Sequence, residues 1–203
     1  MSSAIEWSVA SRPLPGQPAS GDLKVVKAFS DGVLVAALDG LGHGEEAATA
    51  AAVAASTLEM HAAEPVITLV QRCHEALRAT RGVAMSVASF NLTRRLITWL
   101  GVGNVEGVLI RRDFARAEAD VPLLLRAGVV GFQLPSLDVE TLPVYTGDTL
   151  IFATDGIHSD FARVLARSFP PQRAAEKILA RYGKATDDAL VLVARYLGDS
   201  VRE

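Results

Sequence analysis

The order of apolar segments restricts this chain more than any single motif does, because strand-like and helix-like runs do not alternate one for one. A short alternating stretch, Ile5 to Ser11, is followed by "LKVVKAF" and "VLVAAL", which flank "SDG", a hairpin signal. Two helices come next. Glu45 to His61 is rich in alanine and holds neither glycine nor proline, and Glu45 and Glu46 stand where a helix N-terminus favours negative charge. Pro65 opens a second helix to about Thr80, with Val66, Leu69, Val70, Cys73 and Leu77 on one apolar stripe. Three strand patterns follow: "VAMSVASFN", "RRLITWLGVGN" and "EGVLIRR". After an irregular stretch, 113–138, "VETLPVY" and "DTLIFATD" read as a strand pair around Thr146-Gly147. Helices at about 159–168 and 171–182 precede "DALVLVARYL", a buried closing strand. A doubly wound parallel sheet needs regular alternation, so this order predicts an α+β fold with mostly antiparallel sheets.

With 203 residues, half of them hydrophobic and 21% charged, the chain is expected to form one domain, 1–203, with a sizeable core. A net charge of −3 gives no reason to expect nucleic-acid or anionic-membrane binding. Cys73 is the single cysteine, which excludes a disulfide framework and a thiolate zinc cluster. The N-terminal residues lack the basic and apolar regions of a secretory signal, and no apolar run approaches the ~18 residues of a membrane span. A monomer in a reducing, cytoplasmic compartment is the expectation.

The stretch "LDGLGHGEE" places glycines between a strand and a helix. Its spacing, Gly40-x-Gly42-x-Gly44, is not the G-x-G-x-x-G of a dinucleotide loop, and Glu45 would oppose a bound pyrophosphate. No GK[ST] follows, so a P-loop is excluded. "GVGNVEG" leads into a strand and reads as a turn.

The aspartates carry more chemistry. Asp22, Asp39, Asp155 and Asp187 all stand where strands begin or end. With Asp31-Gly32 as a two-residue turn, Ser30 faces Val33, Asp39 lies opposite Lys24, and Asp22 is its diagonal neighbour on the same face, roughly 7–8 Å away at Cα. Asp155 and Asp187 reach one sheet end if their strands lie side by side and antiparallel. Carboxylates gathered without cationic partners repel, and protonation or bound cations relieve them. All-oxygen ligation selects Mg²⁺ or Mn²⁺. Two such ions sharing a carboxylate form a hydrolytic centre for phosphate esters. Asp-Gly at a strand end is also ordinary turn chemistry, so each aspartate alone is equally a structural residue.

"SGD", "LDGLGHG", "GVGN", "GDTLIFATDGI" and "TDDALVLVARY" together resemble the metal-dependent protein phosphatases of the 2C type, in their short SpoIIE-like bacterial branch, over about residues 5–197. The resemblance implies a four-layer αββα sandwich, two antiparallel sheets flanked by helix pairs; the 113–138 segment departs from longer bacterial relatives in being too short for their flap subdomain, so a minimal version without a flap is expected. It implies Mn²⁺ or Mg²⁺, two ions, bridged by Asp39. The Gly40 carbonyl and Asp22 would serve one ion, Asp155 and Asp187 the other, and Asp188 would orient. It also implies hydrolysis of phosphoserine or phosphothreonine by metal-activated water, with stressosome scaffold proteins (RsbR/RsbS type) as phosphorylated substrates. A sister phosphatase acting on an anti-sigma-factor antagonist, or a catalytically silent phosphoprotein-binding module, are the alternatives. Leu190 stands where the family's final motif has threonine, which removes one supporting hydrogen bond.

His43 reads either as a general acid or as a polar loop contact, and Arg12 either as a phosphate ligand or as a solvated loop residue. His61, His74 and His158 lack metal-ligand spacing. Trp99 is expected in the core. Arg94-Arg95 and Arg111-Arg112 read as solvated pairs at turn ends or as part of a docking face.

Overall fold

A computed structural model describes residues 4–17, 19–112, 120–164 and 169–198. Along the chain lie β1 (Ile5–Arg12), β2 (Asp22–Phe29), β3 (Gly32–Gly40), α1 (Glu45–Met60), α2 (Val66–Ala76), β4 (Val83–Asn91), β5 (Leu96–Val102) and β6 (Glu106–Ile110). Then come β7 (Val121–Pro122), β8 (Leu125–Arg126), β9 (Glu140–Pro143), β10 (Thr149–Ala153), a 3₁₀ turn at Ser159–Val164, α3 (Pro171–Tyr182) and β11 (Ala189–Tyr196). One sheet has the order β1-β11-β10-β6-β7; the other has β2-β3-β4-β5-β8, with β9 added on β5. Pairing is antiparallel except for the two-residue contact of β5 with β8.

The pleat sorts each strand between two cores. On β3, Leu34, Ala36 and Leu38 pack with Leu58, Leu69 and Cys73 beneath α1 and α2. Val33, Val35 and Ala37 turn the other way, and meet Phe152, Leu192 and Trp99 between the sheets. A third cluster joins Ile151, Val191 and Val193 to Phe161, Ala175 and Ile178 beneath α3. The result is the expected α+β sandwich of helices, sheet, sheet and helices. Among the described residues no subdomain stands off it. Trp99 is fully buried, as expected, and its indole N–H donates to Glu140 Oε2 at 3.0 Å. The alanines of α1 serve close approach: Ala47, Ala50, Ala51 and Ala54 are all fully buried.

Four expectations change. The β2–β3 hairpin turns at Ser30-Asp31, so Phe29 pairs with Gly32 and Asp22 pairs directly with Asp39. Gly32 is not a turn glycine with positive φ. It is required because a Cβ there would lie 2.1 Å from the Phe90 carbonyl oxygen and 2.6 Å from the Phe29 ring. Secondly, β9 and β10 do not pair: β9 joins β5 in one sheet and β10 lies between β11 and β6 in the other. The chain at Thr146-Gly147 thus crosses between layers instead of closing a hairpin. Thirdly, the first helix of the C-terminal pair is a 3₁₀ turn over Ser159–Val164, and 165–168 lie outside the described residues. The second helix, expected to Thr80, ends at Ala76, and its last part, to Thr80, is a turn.

Gly32→Ala is expected to destabilise the fold by about 1–3 kcal/mol, the usual cost of overpacking. Urea unfolding should show a lower midpoint with an unchanged slope.

Candidate metal centre

The inter-sheet apolar faces run out at one end of the sandwich, and polar side chains take their place there. Asp39 continues the Val33, Val35, Ala37 series of β3, and Asp22 sits opposite it on β2. Directly opposed residues stand roughly 4.5–5.5 Å apart at Cβ, closer than the diagonal placement the hairpin signal implied, and like charges so placed repel. In the other sheet Thr154 follows Leu150 and Phe152 on the inward face of β10, and Asp188 precedes Leu190 and Leu192 on β11. Asp155 and Asp187 lie just beyond the same ends, because β10 and β11 are antiparallel neighbours, the condition on which their meeting depended.

Direct hydrogen bonds join the two sheets here. The Thr154 hydroxyl donates to Asp22 Oδ2 at 2.7 Å and accepts from the Leu190 amide at 2.9 Å. The backbone amide of the residue that replaces the family's threonine therefore orients a threonine on the neighbouring strand. Both oxygens of Asp188 are engaged by backbone: Oδ1 accepts from the Leu14 amide at 2.7 Å and Oδ2 from the Gly21 amide at 2.8 Å. Gly21 in turn accepts from the Gly40 amide at 3.0 Å. Asp155 Oδ2 accepts from the Asn104 amide at 2.6 Å, and Asp187 Oδ1 from the Asp188 amide at 2.9 Å. Thr154 and Asn104 escape a sequence reading that looks for charged ligands. Their signals were the "ATDG" and "GVGN" strings in which they stand.

Burial and crowding set the electrostatics. Asp39 is pushed up to about 8 by burial, reinforced by Asp22, Asp155, Asp187 and Asp188. Asp22 is pushed up to about 7 by burial, against the Thr154 hydrogen bond and with the help of Asp188, Asp155 and Asp187. Asp155 is raised by burial and Asp187, while Lys184 and Asn104 pull it back. Lys184 donates to the Asp155 carbonyl at 2.5 Å, so this ammonium answers a backbone oxygen.

The donor set suits a hard cation. It is all oxygen, buried at Asp22 and half-buried at Asp39, Asp155 and Asp187, and short of positive charge. A Cβ on Gly21 would lie 3.2 Å from the Gly40 carbonyl oxygen and 3.5 Å from Asp188 Oδ2, so the bare glycine leaves that carbonyl approachable. Among the described residues no three His, Cys, Asp or Glu side chains are grouped closely enough to hold an ion by themselves.

Comparison with known proteins supplies the lineage. The family described as Stage II sporulation protein E (SpoIIE) matches residues 30–197. The chain belongs to the SpoIIE family. Among its relatives, the phosphoserine phosphatase RsbX of Bacillus subtilis (strain 168) is 29% identical over 143 residues, 70% of each chain. A chain from a study of the bacterial stressosome as a modular system adapted to control secondary messenger signalling superposes with a TM-score of 0.86. It is 28% identical, covering 94% of this chain and 99% of that one. RsbX in complex with magnesium superposes with a TM-score of 0.83 at 25% identity, covering 94% of both. This SpoIIE-family chain is thus a phosphatase domain of the 2C type.

Of the remaining candidates, His43 is exposed in the loop after β3. Arg12 is not solvated: it ends β1 half-buried and donates to the Lys184 carbonyl at 2.5 Å. His74 accepts from the Gly131 amide at 3.0 Å and His61 meets Glu64, while His158 is exposed.

Asp22 and Asp39 hold their protons more tightly folded than at the ordinary value of 3.8. Their contribution to stability is therefore complete below that value and is lost as pH rises through about 7 and 8. Metal-stripped protein should show a Tm that falls between about pH 4 and pH 8, a fall that Asp39→Asn flattens and millimolar Mg²⁺ reverses. A metal-stripped Tm that stays level or rises across that window contradicts this account.

Proposed function

We propose that this SpoIIE-family protein is a Mn²⁺- or Mg²⁺-dependent phosphoprotein serine/threonine phosphatase of the stress-response type, acting on phosphorylated proteins of a stressosome. Its kinship to a phosphoserine phosphatase and to a chain from stressosome work supports that substrate class. The observation that carries the chemistry is the gathering of five aspartates from both sheets at one end of the sandwich, with the flanking Lys184 ammonium turned to a backbone carbonyl.

In this reading Asp39 would serve both of two divalent ions, with Asp22 and the Gly40 carbonyl holding one and Asp155 and Asp187 the other. Bound divalent ions acidify a water and neutralise phosphate oxygens. The chain's own residues prepare the site for that. Thr154 fixes Asp22 through Oδ2, and Asn104 fixes Asp155 through Oδ2; each leaves the second carboxylate oxygen for a cation. Asp188 holds the loop that carries Gly21, and so sets the space over the Gly40 carbonyl. Such outer partners orient the ligand oxygens. No described helix is long and apolar enough to cross a membrane. We place the protein in the cytoplasm, as a monomeric single domain.

Wild-type protein should hydrolyse p-nitrophenyl phosphate with Mn²⁺ or Mg²⁺ and lose that activity in EDTA. Asp39→Asn should lower it by more than about 100-fold, and Thr154→Val or Asn104→Ala by about 10–100-fold with the fold retained. Full activity in EDTA or in Asp39→Asn sinks the enzyme reading. A phosphorylated stressosome scaffold domain should release phosphate at a rate well above p-nitrophenyl phosphate; no release from it sinks the substrate assignment alone.

A further inference from the structure

Between α3 and β11 the chain runs Gly183-Lys184-Ala185-Thr186-Asp187, from a helix end straight into the metal centre. Lys184 is half-buried there and tied in three directions. Its amide donates to the Gly156 carbonyl at 2.7 Å, its carbonyl accepts from Arg12 Nη2 at the end of β1, and its ammonium donates to the Asp155 carbonyl at 2.5 Å. Around it, Ile157 pairs with Gly183 in an antiparallel bridge, and the His158 amide donates to the Tyr182 carbonyl at 2.9 Å. The turn that carries Asp155 is thus laced to the end of α3. Its other side rests on backbone: a Cβ on Gly156 would lie 1.8 Å from the Asp188 carbonyl oxygen.

A lysine in this place needs a reason. An ammonium next to a divalent ion is repelled by it, so its charge alone works against metal binding. Nor does it stand in for an ion by pairing with a carboxylate, because its hydrogen bond goes to main-chain oxygen and Asp155 Oδ2 accepts from Asn104. Geometry supplies the reason. The bond runs from the loop that carries Asp187 to the turn that carries Asp155, and so joins the two residues assigned above to one ion. With Lys184 on its carbonyl and Asn104 on its side chain, Asp155 is fixed at both ends, and Oδ1 is left for the cation. Supporting bonds of this kind commonly change metal affinity by about 10–100-fold when they are lost.

We propose that Lys184 is a positioning residue of the metal centre: it ties the Asp187 loop to the Asp155 turn, so that its removal weakens divalent-ion binding even though a positive charge leaves the site. The inference rests on the metal-dependent phosphatase reading. Its sign is what distinguishes it, since charge alone predicts the opposite change.

Full-length protein stripped of metal is titrated calorimetrically with Mn²⁺ as wild type, Lys184→Met, Lys184→Gln and Lys184→Arg. Lys27→Met serves as a control, because it removes the same charge from an exposed position near the far end of β2. Mn²⁺ should bind about tenfold more weakly to Lys184→Met and Lys184→Gln, recover in Lys184→Arg, which keeps a charged donor, and bind Lys27→Met as it binds the wild type. A melting curve of each metal-stripped variant shows that it is folded, and Lys184→Gln decides the matter if Lys184→Met is not. Mn²⁺ bound by the folded Lys184 variants as tightly as by the wild type, or more tightly, overturns the proposal. So does a Lys184→Arg no better than Lys184→Met, or a Lys27→Met that is weakened as much. Absence of saturable Mn²⁺ binding by the wild type overturns the metal-centre reading itself, and the inference with it.

Discussion

Like charge concentrated where two sheets run out of apolar side chains is the constraint on which the rest depends. Asp22 and Asp39 face each other across neighbouring strands, and Asp155, Asp187 and Asp188 approach from the opposing sheet. Without counter-ions such a group is driven towards protonation, which is the direction taken by Asp22, Asp39 and Asp155. The hydrophobic layers on either side supply the stability that lets the fold carry it. The small side chains of α1 and the glycines at 21 and 40 then allow backbone to approach the cluster where bulkier residues would clash.

The pleat makes the arrangement precise without special devices. A period of two sends Val33, Val35 and Ala37 inward, and the same count sends Asp39 inward at the strand's end. Leu150 and Phe152 lead in the same way to Thr154, and Leu192 and Leu190 lead back to Asp188. Hydrophobic alternation therefore aims the polar residues beyond it. Those two inward positions tie the sheets and the N-terminal loop together, while Asp155 and Asp187 stand at the rim.

This parity is also what made the fold legible. The element order implied antiparallel α+β packing, and strand ends pointed to the aspartates. The register was misjudged because Asp31-Gly32 carries the local signature of a two-residue turn, whereas Gly32 is demanded by its contact with Phe90, which no local pattern announces. The error moved the pairing by two positions, so Asp22 and Asp39 kept the same face. The "VETLPVY" strand was legible as a strand, but its partner was not, since its pairing with β5 lies more than forty residues away. Thr154 and Asn104 act through geometry between separate elements, which a search for charged ligands passes over.

The central place of β11 carries a consequence for synthesis. Asp188 anchors Leu14 and Gly21, over 160 residues upstream, and β11 separates β1 from β10. A ribosome-bound chain that has exposed Asp22 and Asp39 but not yet β11 has neither the strand that seats β1 nor the carboxylate that shapes the loop over Gly40. The centre therefore assembles only after nearly the whole domain has emerged. Truncation before Ala189 is thus expected to remove the site at the same stroke as the fold, because it takes away the strand between β1 and β10.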